Sequence, residues 1–183
     1  MTDEELIDLE VYLLLKIERI NERANMTLEM SDSEKAAFLA DKHLARIATV
    51  TPDGTPHVTP VWYLWKAPHL LIAIVNTSKK VRNIQQNPQV AVTIDTDSSP
   101  AQGVIMEGIA LLKALPTTVE REICARYLEP GDLERYLVYA QNHFTSVLLQ
   151  ITPHKIRSWN YAKDPFLCTL KSSASEHTCA QTS

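Results

Sequence analysis

The spacing of hydrophobic residues changes near residue 44, from a helical repeat to a strand-like one. Residues 3–24 carry apolar side chains at intervals of three and four, which predicts an amphipathic helix with a mainly acidic polar face. We expect this helix to pack against the domain or against a second copy of the chain. Ser31 and Glu34 have the spacing of a capping box and predict a second, short helix that begins just after Ser31.

Beyond residue 44, runs rich in β-branched and aromatic residues alternate with turn residues, which is typical of strands. The predicted strands are 44–50, 57–64, 70–75, 90–94, 103–113, 145–152 and 155–159. Helices are predicted at 78–87, 117–128 and 130–142. About six strands at short intervals, with few helical crossovers, predict a mainly β protein with flanking helices: a closed antiparallel barrel rather than a doubly wound sheet.

The same pattern divides the chain of 183 residues into three parts. We expect a helical extension over residues 1–30, a barrel domain over 31–165 and a polar tail over 166–183. The chain contains only four glycines and has neither a G-x-G-x-x-G motif nor a P-loop. A bound phosphate must therefore be held by side chains and by the end of a helix.

Charge and composition narrow the possible partners. The net charge of −4 argues against a nucleic acid or an anionic membrane as the main partner. The acidic first residues do not resemble a signal peptide, and the apolar run at 70–75 is too short to span a membrane, so a cytoplasmic protein is expected. Three cysteines without metal-like spacing predict free thiols and no metal site.

The strongest candidate for a binding site is a group of cations at the start of a predicted helix. Lys79, Lys80 and Arg82 follow Ser78, which has the position of an N-cap. The start of a helix already offers unpaired N–H groups and the positive end of the helix dipole. The added cations predict a site for a phosphate group, although the same pattern also occurs on solvated helix faces.

Several motifs occur in an order that is found in a known protein family. They are Pro-His-Val-Thr-Pro-Val-Trp at 56–62, Ser-Lys-Lys-Val-Arg-Asn at 78–83, Asn-Pro-Gln-Val-Ala-Val at 87–92, Met-Glu-Gly-Ile-Ala at 106–110 and Pro-His-Lys-Ile-Arg-Ser-Trp at 153–159. Over about residues 33–162 the chain resembles the flavin-binding split-barrel superfamily, whose best-known member is pyridoxamine 5′-phosphate oxidase. The resemblance implies a six-stranded split barrel and a homodimer with two cofactor sites between its subunits.

The resemblance also implies which residues would contact the cofactor. The residues at 58–62 would pass along the flavin ring, and the segment 78–82 would bind the phosphate. Gln102 would contact the ring, as would Trp159 from the partner subunit. The implied cofactor-binding residues are Val58, Thr59, Pro60, Val61, Trp62, Asn76, Ser78, Lys79, Lys80, Arg82, Gln102 and Trp159. No catalytic residue is identified, because a flavin or deazaflavin carries the hydride itself.

The chain also departs from pyridoxamine 5′-phosphate oxidase. It lacks the Arg-x-His element that follows the tryptophan in that enzyme, and His57 stands where its flavin strand opens with arginine. Oxidation of vitamin B6 is therefore not expected. The motifs are closer to the branch of flavin and deazaflavin reductases, so we expect FMN, or alternatively coenzyme F420, and a small conjugated or heteroaromatic substrate. A haem or bilin carrier with His43 or His57 as ligand, a flavin carrier without turnover, and a scaffold without cofactor remain alternatives.

Overall fold

The computed structural model describes Lys16 and residues 28–164. Apart from Lys16, the predicted helix over 3–24 lies outside the described residues, as do Cys168, Cys179 and the predicted tail. The predicted extension and tail therefore stay predictions. None of the described helices is long and apolar enough to cross a membrane.

The strands and helices follow one another much as the sequence pattern predicts. In chain order they are α1 (Asp32–Ala40), β1 (Ala45–Val50), β2 (Pro56–Val61), β3 (Leu64–Lys66), β4 (His69–Val75), α2 (Lys79–Gln86), β5 (Gln89–Asp95), β6 (Gln102–Ala114), α3 (Thr117–Ala125), α4 (Pro130–His143), β7 (Ser146–Asn160) and a short 3-10 helix (Tyr161–Lys163).

All seven strands belong to one antiparallel sheet with the order β2-β1-β5-β6-β7-β4-β3. This confirms the predicted class, a mainly β protein of the split-barrel type with flanking helices. The expectation of a closed barrel is wrong, because β2 and β3 end the hydrogen-bonded ladder without pairing to each other. The sheet nevertheless curls, since residues of β2 and β4 line the same cavity although four strands separate them in the ladder.

The sheet has seven strands where about six were predicted, and two parts of the chain differ from the predicted segments for local reasons. The predicted strand at 57–64 is interrupted at Trp62 and Tyr63, which belong to no strand and leave β3 as a separate short segment. The predicted strands at 145–152 and 155–159 are instead one strand. A register shift opposite Glu107 leaves His154 without a partner on β6, so that β7 continues through Pro153.

The core lies on the inner face of the curled sheet, beneath α1 and α2. Inward-facing residues such as Ile47 and Ile72 are fully buried, and they pack in one cluster with Phe38 of α1 and Val81 of α2. The Nδ2 group of Asn83 in α2 donates to Oγ1 of buried Thr49 at 2.9 Å. This hydrogen bond fixes α2 over β1 and thereby places the start of the helix.

The predicted capping box of α1 is confirmed. The Glu34 N–H donates to Ser31 Oγ at 3.2 Å, and the Ser31 N–H donates to Glu34 Oε2 at 2.7 Å. The Lys163 ammonium also donates to Glu34 Oε2, at 2.6 Å. The start of α1 is therefore attached to the 3-10 helix that follows β7.

The helical hairpin α3–α4 is inserted between β6 and β7 and is attached to the end of α1. Arg126 donates to the carbonyl oxygens of Ala40 at 2.9 Å and Asp41 at 2.6 Å, and its guanidinium lies 5.1 Å from the ring centroid of Tyr63. The Tyr127 hydroxyl donates to the His43 carbonyl at 2.7 Å. These contacts hold the hairpin beside the β2–β3 connection.

Candidate functional site

A cavity of about 470 Å³ opens between β2 and β4, the region that the sequence pattern assigned to a cofactor. Its volume lies within the usual range for small-molecule sites. Its lining combines residues of β2 and β4, two residues that flank strands (Leu44 and Trp62), one residue of α2 and one of α4: Leu44, Pro60, Val61, Trp62, Ala73, Ile74, Val75, Lys80 and Tyr136.

Lys80 is the cation of this cavity. Its side chain is half-buried, and burial lowers the pKa of its ammonium group. No carboxylate of the described residues forms an ion pair with it, whereas Lys66 of β3 binds Glu122 at 2.6 Å. A half-buried ammonium group without an ion-pair partner favours an anionic ligand, because the attraction to the anion offsets the loss of hydration that burial causes.

The other two predicted cations point elsewhere. Lys79 and Arg82 line a separate depression of about 460 Å³, together with Asn83, Gln86 and the turn at 51–53. Positions 79, 82, 83 and 86 share one face of α2, and Lys80 lies about 100° around the helix from Lys79. Arg82 also donates to the Thr77 carbonyl at 2.7 Å. The three cations therefore surround the start of α2 but do not converge in one cavity.

Ser78 takes the predicted N-cap position, but its hydroxyl does not cap the helix. It makes no cap hydrogen bond, and its Oγ atom is buried without a partner. The expectation that this hydroxyl caps α2 is therefore wrong. A buried hydroxyl without a hydrogen bond is costly, so the Ser78 hydroxyl is available to a water molecule or a ligand.

Two more buried polar atoms on β2 are also without partners, Thr59 Oγ1 and His57 Nδ1. They lie on the face of the sheet that α2 covers, because His57 is opposite Thr49, which binds Asn83 of that helix. Val58 points to the other face and is 60% exposed. The side chains of β2 thus face both sides of the sheet. Only the last part of the strand, from Pro60 onward, borders the large cavity.

Trp62 forms an aromatic wall together with two tyrosines of the helical hairpin. Its ring stacks on Tyr127, with 5.0 Å between centroids and 3° between planes, and Tyr136 is tilted against it at 5.7 Å. Neither tyrosine was predicted as a site residue. The helical pattern at 117–142 predicted the helices, but it carried no signal that would place this hairpin over Trp62.

Of the twelve predicted site residues only Pro60, Val61, Trp62 and Lys80 line this cavity, and three that have not yet been placed also lie elsewhere. Asn76 is exposed, and its backbone N–H donates to the Thr145 carbonyl at 2.9 Å. Gln102 and Trp159 lie at the paired ends of β6 and β7, where the Trp159 ring covers Gly103. Within one chain, these positions are therefore separate from the Lys80 cavity.

A smaller and more enclosed pocket of about 110 Å³ adjoins the large cavity behind Trp62 and Tyr136. Glu120 and Cys124 of α3 contribute its polar groups, with Ser146 at its edge. Burial raises the pKa of the Glu120 carboxyl, and burial together with the nearby Glu120 raises the pKa of the Cys124 thiol to about 11. Cys124 is therefore a neutral thiol and not a nucleophile.

The two histidines that were considered as haem ligands lie outside the large cavity. The His43 ring stacks on Phe38 at 4.4 Å, and His57 faces the side of α2. Within residues 28–164, no group of three His, Cys, Asp or Glu side chains is placed to hold a metal ion.

Comparisons with known proteins agree with this architecture. The family model described as pyridoxamine 5′-phosphate oxidase matches residues 31–160. A conserved hypothetical protein of Mycobacterium tuberculosis is similar with 26% identity and a TM-score of 0.64, over 75% of this chain and 89% of that one. An F420 reductase is similar with 25% identity and a TM-score of 0.54, over 66% and 93%. The heme storage protein of Vibrio cholerae shares the fold, with 17% identity and a TM-score of 0.54, over 70% and 96%.

Proposed function

Because the chain belongs to the pyridoxamine 5′-phosphate oxidase family, we propose that it binds a phosphorylated flavin-type cofactor and acts as an oxidoreductase. The reaction is hydride transfer to or from a small conjugated or heteroaromatic molecule. The observation that carries the proposal is the half-buried Lys80, which forms no ion pair with any residue of 28–164 and lines a cavity of about 470 Å³.

The residues around the cavity fit such a cofactor. The ammonium of Lys80 and the start of α2 favour a phosphate group, and the unpartnered Ser78 hydroxyl offers it a hydrogen bond. Trp62 and Tyr136 present aromatic surface to a flat ring. When bound, the cofactor supplies the hydride chemistry. The side chains hold it, orient it and exclude water.

FMN is the first candidate and coenzyme F420 the second. FMN needs only the cavity and one phosphate site. F420 has a longer, acidic tail, and it is favoured by two observations: Lys79 and Arg82 line a neighbouring depression, and an F420 reductase is 25% identical. The oxidation of vitamin B6 is not proposed, since no Arg-x-His element follows Trp159.

A carrier of haem is a weaker proposal. Among the described residues that line the cavity there is no histidine to serve as an axial ligand. The likeness to the heme storage protein, at 17% identity, concerns the fold. Flavin binding without turnover remains a separate outcome, which activity measurements on the loaded protein distinguish.

The active unit that we propose is a homodimer. The outer face of the sheet exposes Val58, Ile105 and Ile109, whose exposed fractions are 60%, 37% and 38%. A second copy related by two-fold symmetry would cover these side chains. In such a dimer Gln102 and Trp159, which are separate from the cavity within one chain, are the residues that would reach the cavity of the partner.

The absorbance spectrum of the purified protein, with mass spectrometry of whatever it releases on denaturation, tests the proposal. We expect a flavin or deazaflavin spectrum and one molecule of FMN or F420 per chain, either as purified or after titration. A haem Soret band, or no binding of either cofactor, would contradict it.

A further inference from the structure

The small pocket behind Trp62 and Tyr136 is suited to one end of a substrate. Its volume is about 110 Å³. A cavity of roughly 150 Å³ admits benzene, so the small pocket accepts a carbonyl group with its neighbouring carbons but not a complete ring system. Five of its lining residues also line the large cavity: Trp62, Ala73, Ile74, Val75 and Tyr136. A molecule that lies in the large cavity therefore has the small pocket beside it.

Glu120 differs from the other acidic residue on the same stretch of α3. Glu122 points outward and binds the Lys66 ammonium at 2.6 Å. Within the part of the chain that the structure describes, no cation pairs with Glu120. It faces a pocket in which Cys124 and Tyr136 are the other titratable groups and the remaining lining is mainly apolar. Burial in this pocket favours the protonated carboxyl, which can donate a hydrogen bond and a proton.

We propose that the small pocket receives the oxygen of a neutral, conjugated carbonyl substrate and that Glu120 donates a proton to this oxygen. The inference rests on the proposed function, because the hydride must come from a reduced flavin or deazaflavin. It adds a substrate class and a catalytic residue. An anionic head group is disfavoured here, since no cation lines the pocket among the described residues.

The step balances for an enone, a carbonyl conjugated to a carbon–carbon double bond. The β carbon accepts the hydride, and the electrons of the double bond shift toward the carbonyl oxygen. That oxygen takes the proton as the O–H bond of Glu120 breaks, which gives an enol and the Glu120 carboxylate. The enol converts to the saturated ketone in water, and the carboxylate regains a proton from solvent. A bound reduced flavin or deazaflavin would supply the two electrons as hydride, so that the enone would be reduced by two electrons overall.

The test compares Glu120→Gln with Glu122→Gln, in protein loaded with reduced FMN or F420, whichever binds more tightly, and with cyclohexenone as substrate. Single-turnover oxidation of the cofactor is followed over a range of pH. We expect Glu120→Gln to slow hydride transfer about 100-fold, the usual scale of general acid catalysis, with little change in cofactor affinity. The wild-type rate should fall as the pH rises through the pKa of Glu120, and Glu120→Gln should lose this fall. Glu122→Gln should match the wild type.

A binding measurement locates the substrate without depending on activity. Cyclohexanone, which cannot be reduced in this way, should bind to the unloaded protein, and Ala140→Leu should weaken that binding at least tenfold by filling the small pocket. An intact thermal transition shows that this variant is folded. If Glu120→Gln transfers hydride as fast as Glu122→Gln, or if Ala140→Leu binds cyclohexanone as tightly as the wild type, the inference fails while the proposed function stands. If the wild type binds neither cofactor, both fail.

Discussion

Trp62 and Tyr127 stack with their rings 5.0 Å apart and only 3° from parallel. The Tyr127 hydroxyl donates to the His43 carbonyl at 2.7 Å and accepts from the Tyr63 N–H at 3.1 Å. One tyrosine thus holds three segments together: the helical hairpin, the start of β1 and the β2–β3 connection. The orientation of the cavity's main aromatic residue therefore depends on a residue that is remote from it in sequence.

This relationship predicts two separable effects at Tyr127. Tyr127→Phe keeps the ring but loses the hydroxyl and both hydrogen bonds, so we expect a loss of about 1–2 kcal/mol in the free energy of unfolding. Tyr127→Ala also removes the stacked ring, and we expect a loss of about 3–5 kcal/mol. Urea unfolding measures both. Equal stability of the two variants would show that the stacking contributes nothing.

The packing of Trp159 on Gly103 gives a second prediction. A Cβ at position 103 would lie 2.5 Å from the Trp159 ring and 2.9 Å from the Ile94 carbonyl oxygen, so Gly103→Ala must displace the indole. We expect a loss of about 1–3 kcal/mol and altered Trp fluorescence. Gly131→Ala is the matched control, because nothing lies within 4 Å of its Cβ and alanine suits a helix. A neutral Gly103→Ala would contradict the packing.

The ion pair between Glu34 and Lys163 predicts a dependence of stability on acid pH. The hydrogen bond from Lys163, followed by that from the Ser31 N–H, lowers the pKa of Glu34 from 4.5 to about 2. Because the pKa of Glu34 is lower in the folded state than in the unfolded state, its ionisation stabilises the fold at any pH above about 4.5. This contribution to the free energy of unfolding disappears as the pH falls from about 4.5 to about 2.

Thermal unfolding of the wild type and of Glu34→Gln between about pH 4.5 and pH 2 tests whether this contribution is lost on acidification. The difference between the two melting temperatures should shrink as the pH falls. Asp97→Asn, in the β5–β6 loop, is the control and should leave the profile of the wild type unchanged. A difference that is constant with pH would exclude the ion pair as its source.

The proposed dimer predicts that a charge on the outer face of the sheet separates the subunits. Ile105→Glu should give a monomer in analytical ultracentrifugation, because a charged carboxylate in the middle of the apolar contact would have to be desolvated against the second copy. Val138→Glu on α4, where the wild-type side chain is 59% exposed, should remain a dimer. A wild-type monomer that binds cofactor tightly would contradict the shared site.

Local patterns in the sequence were sufficient for the elements and the fold class. Strand alternation located β1, β5 and β6, and the spacing of Ser31 and Glu34 located α1. Strand alternation gave the wrong prediction where tertiary contacts determine the backbone conformation. Tyr63 is fully buried and donates to the carbonyls of Leu39 and Asp41, so it leaves the strand that its neighbours predict.

The site was predictable in part. The resemblance identified Lys80 and Trp62, which do line one cavity, and it identified Lys79 and Arg82, which the turn of α2 directs to another surface. Glu120 and Tyr136 could not be predicted from spacing. Tyr136 lines both the large cavity and the small pocket, and Glu120 lines the small pocket, only because the hairpin between β6 and β7 folds back over β4.

The affinity of the protein for FMN and F420 after substitution of single cations tests the central claim most directly. If Lys80 holds the phosphate from inside the cavity, Lys80→Ala should weaken cofactor binding by about 2–3 kcal/mol, roughly 100-fold, in a fluorescence titration. Lys79→Ala, one residue away on another face of α2, should have a much smaller effect on FMN. Unchanged affinity in Lys80→Ala, in a protein that remains folded, would contradict the account.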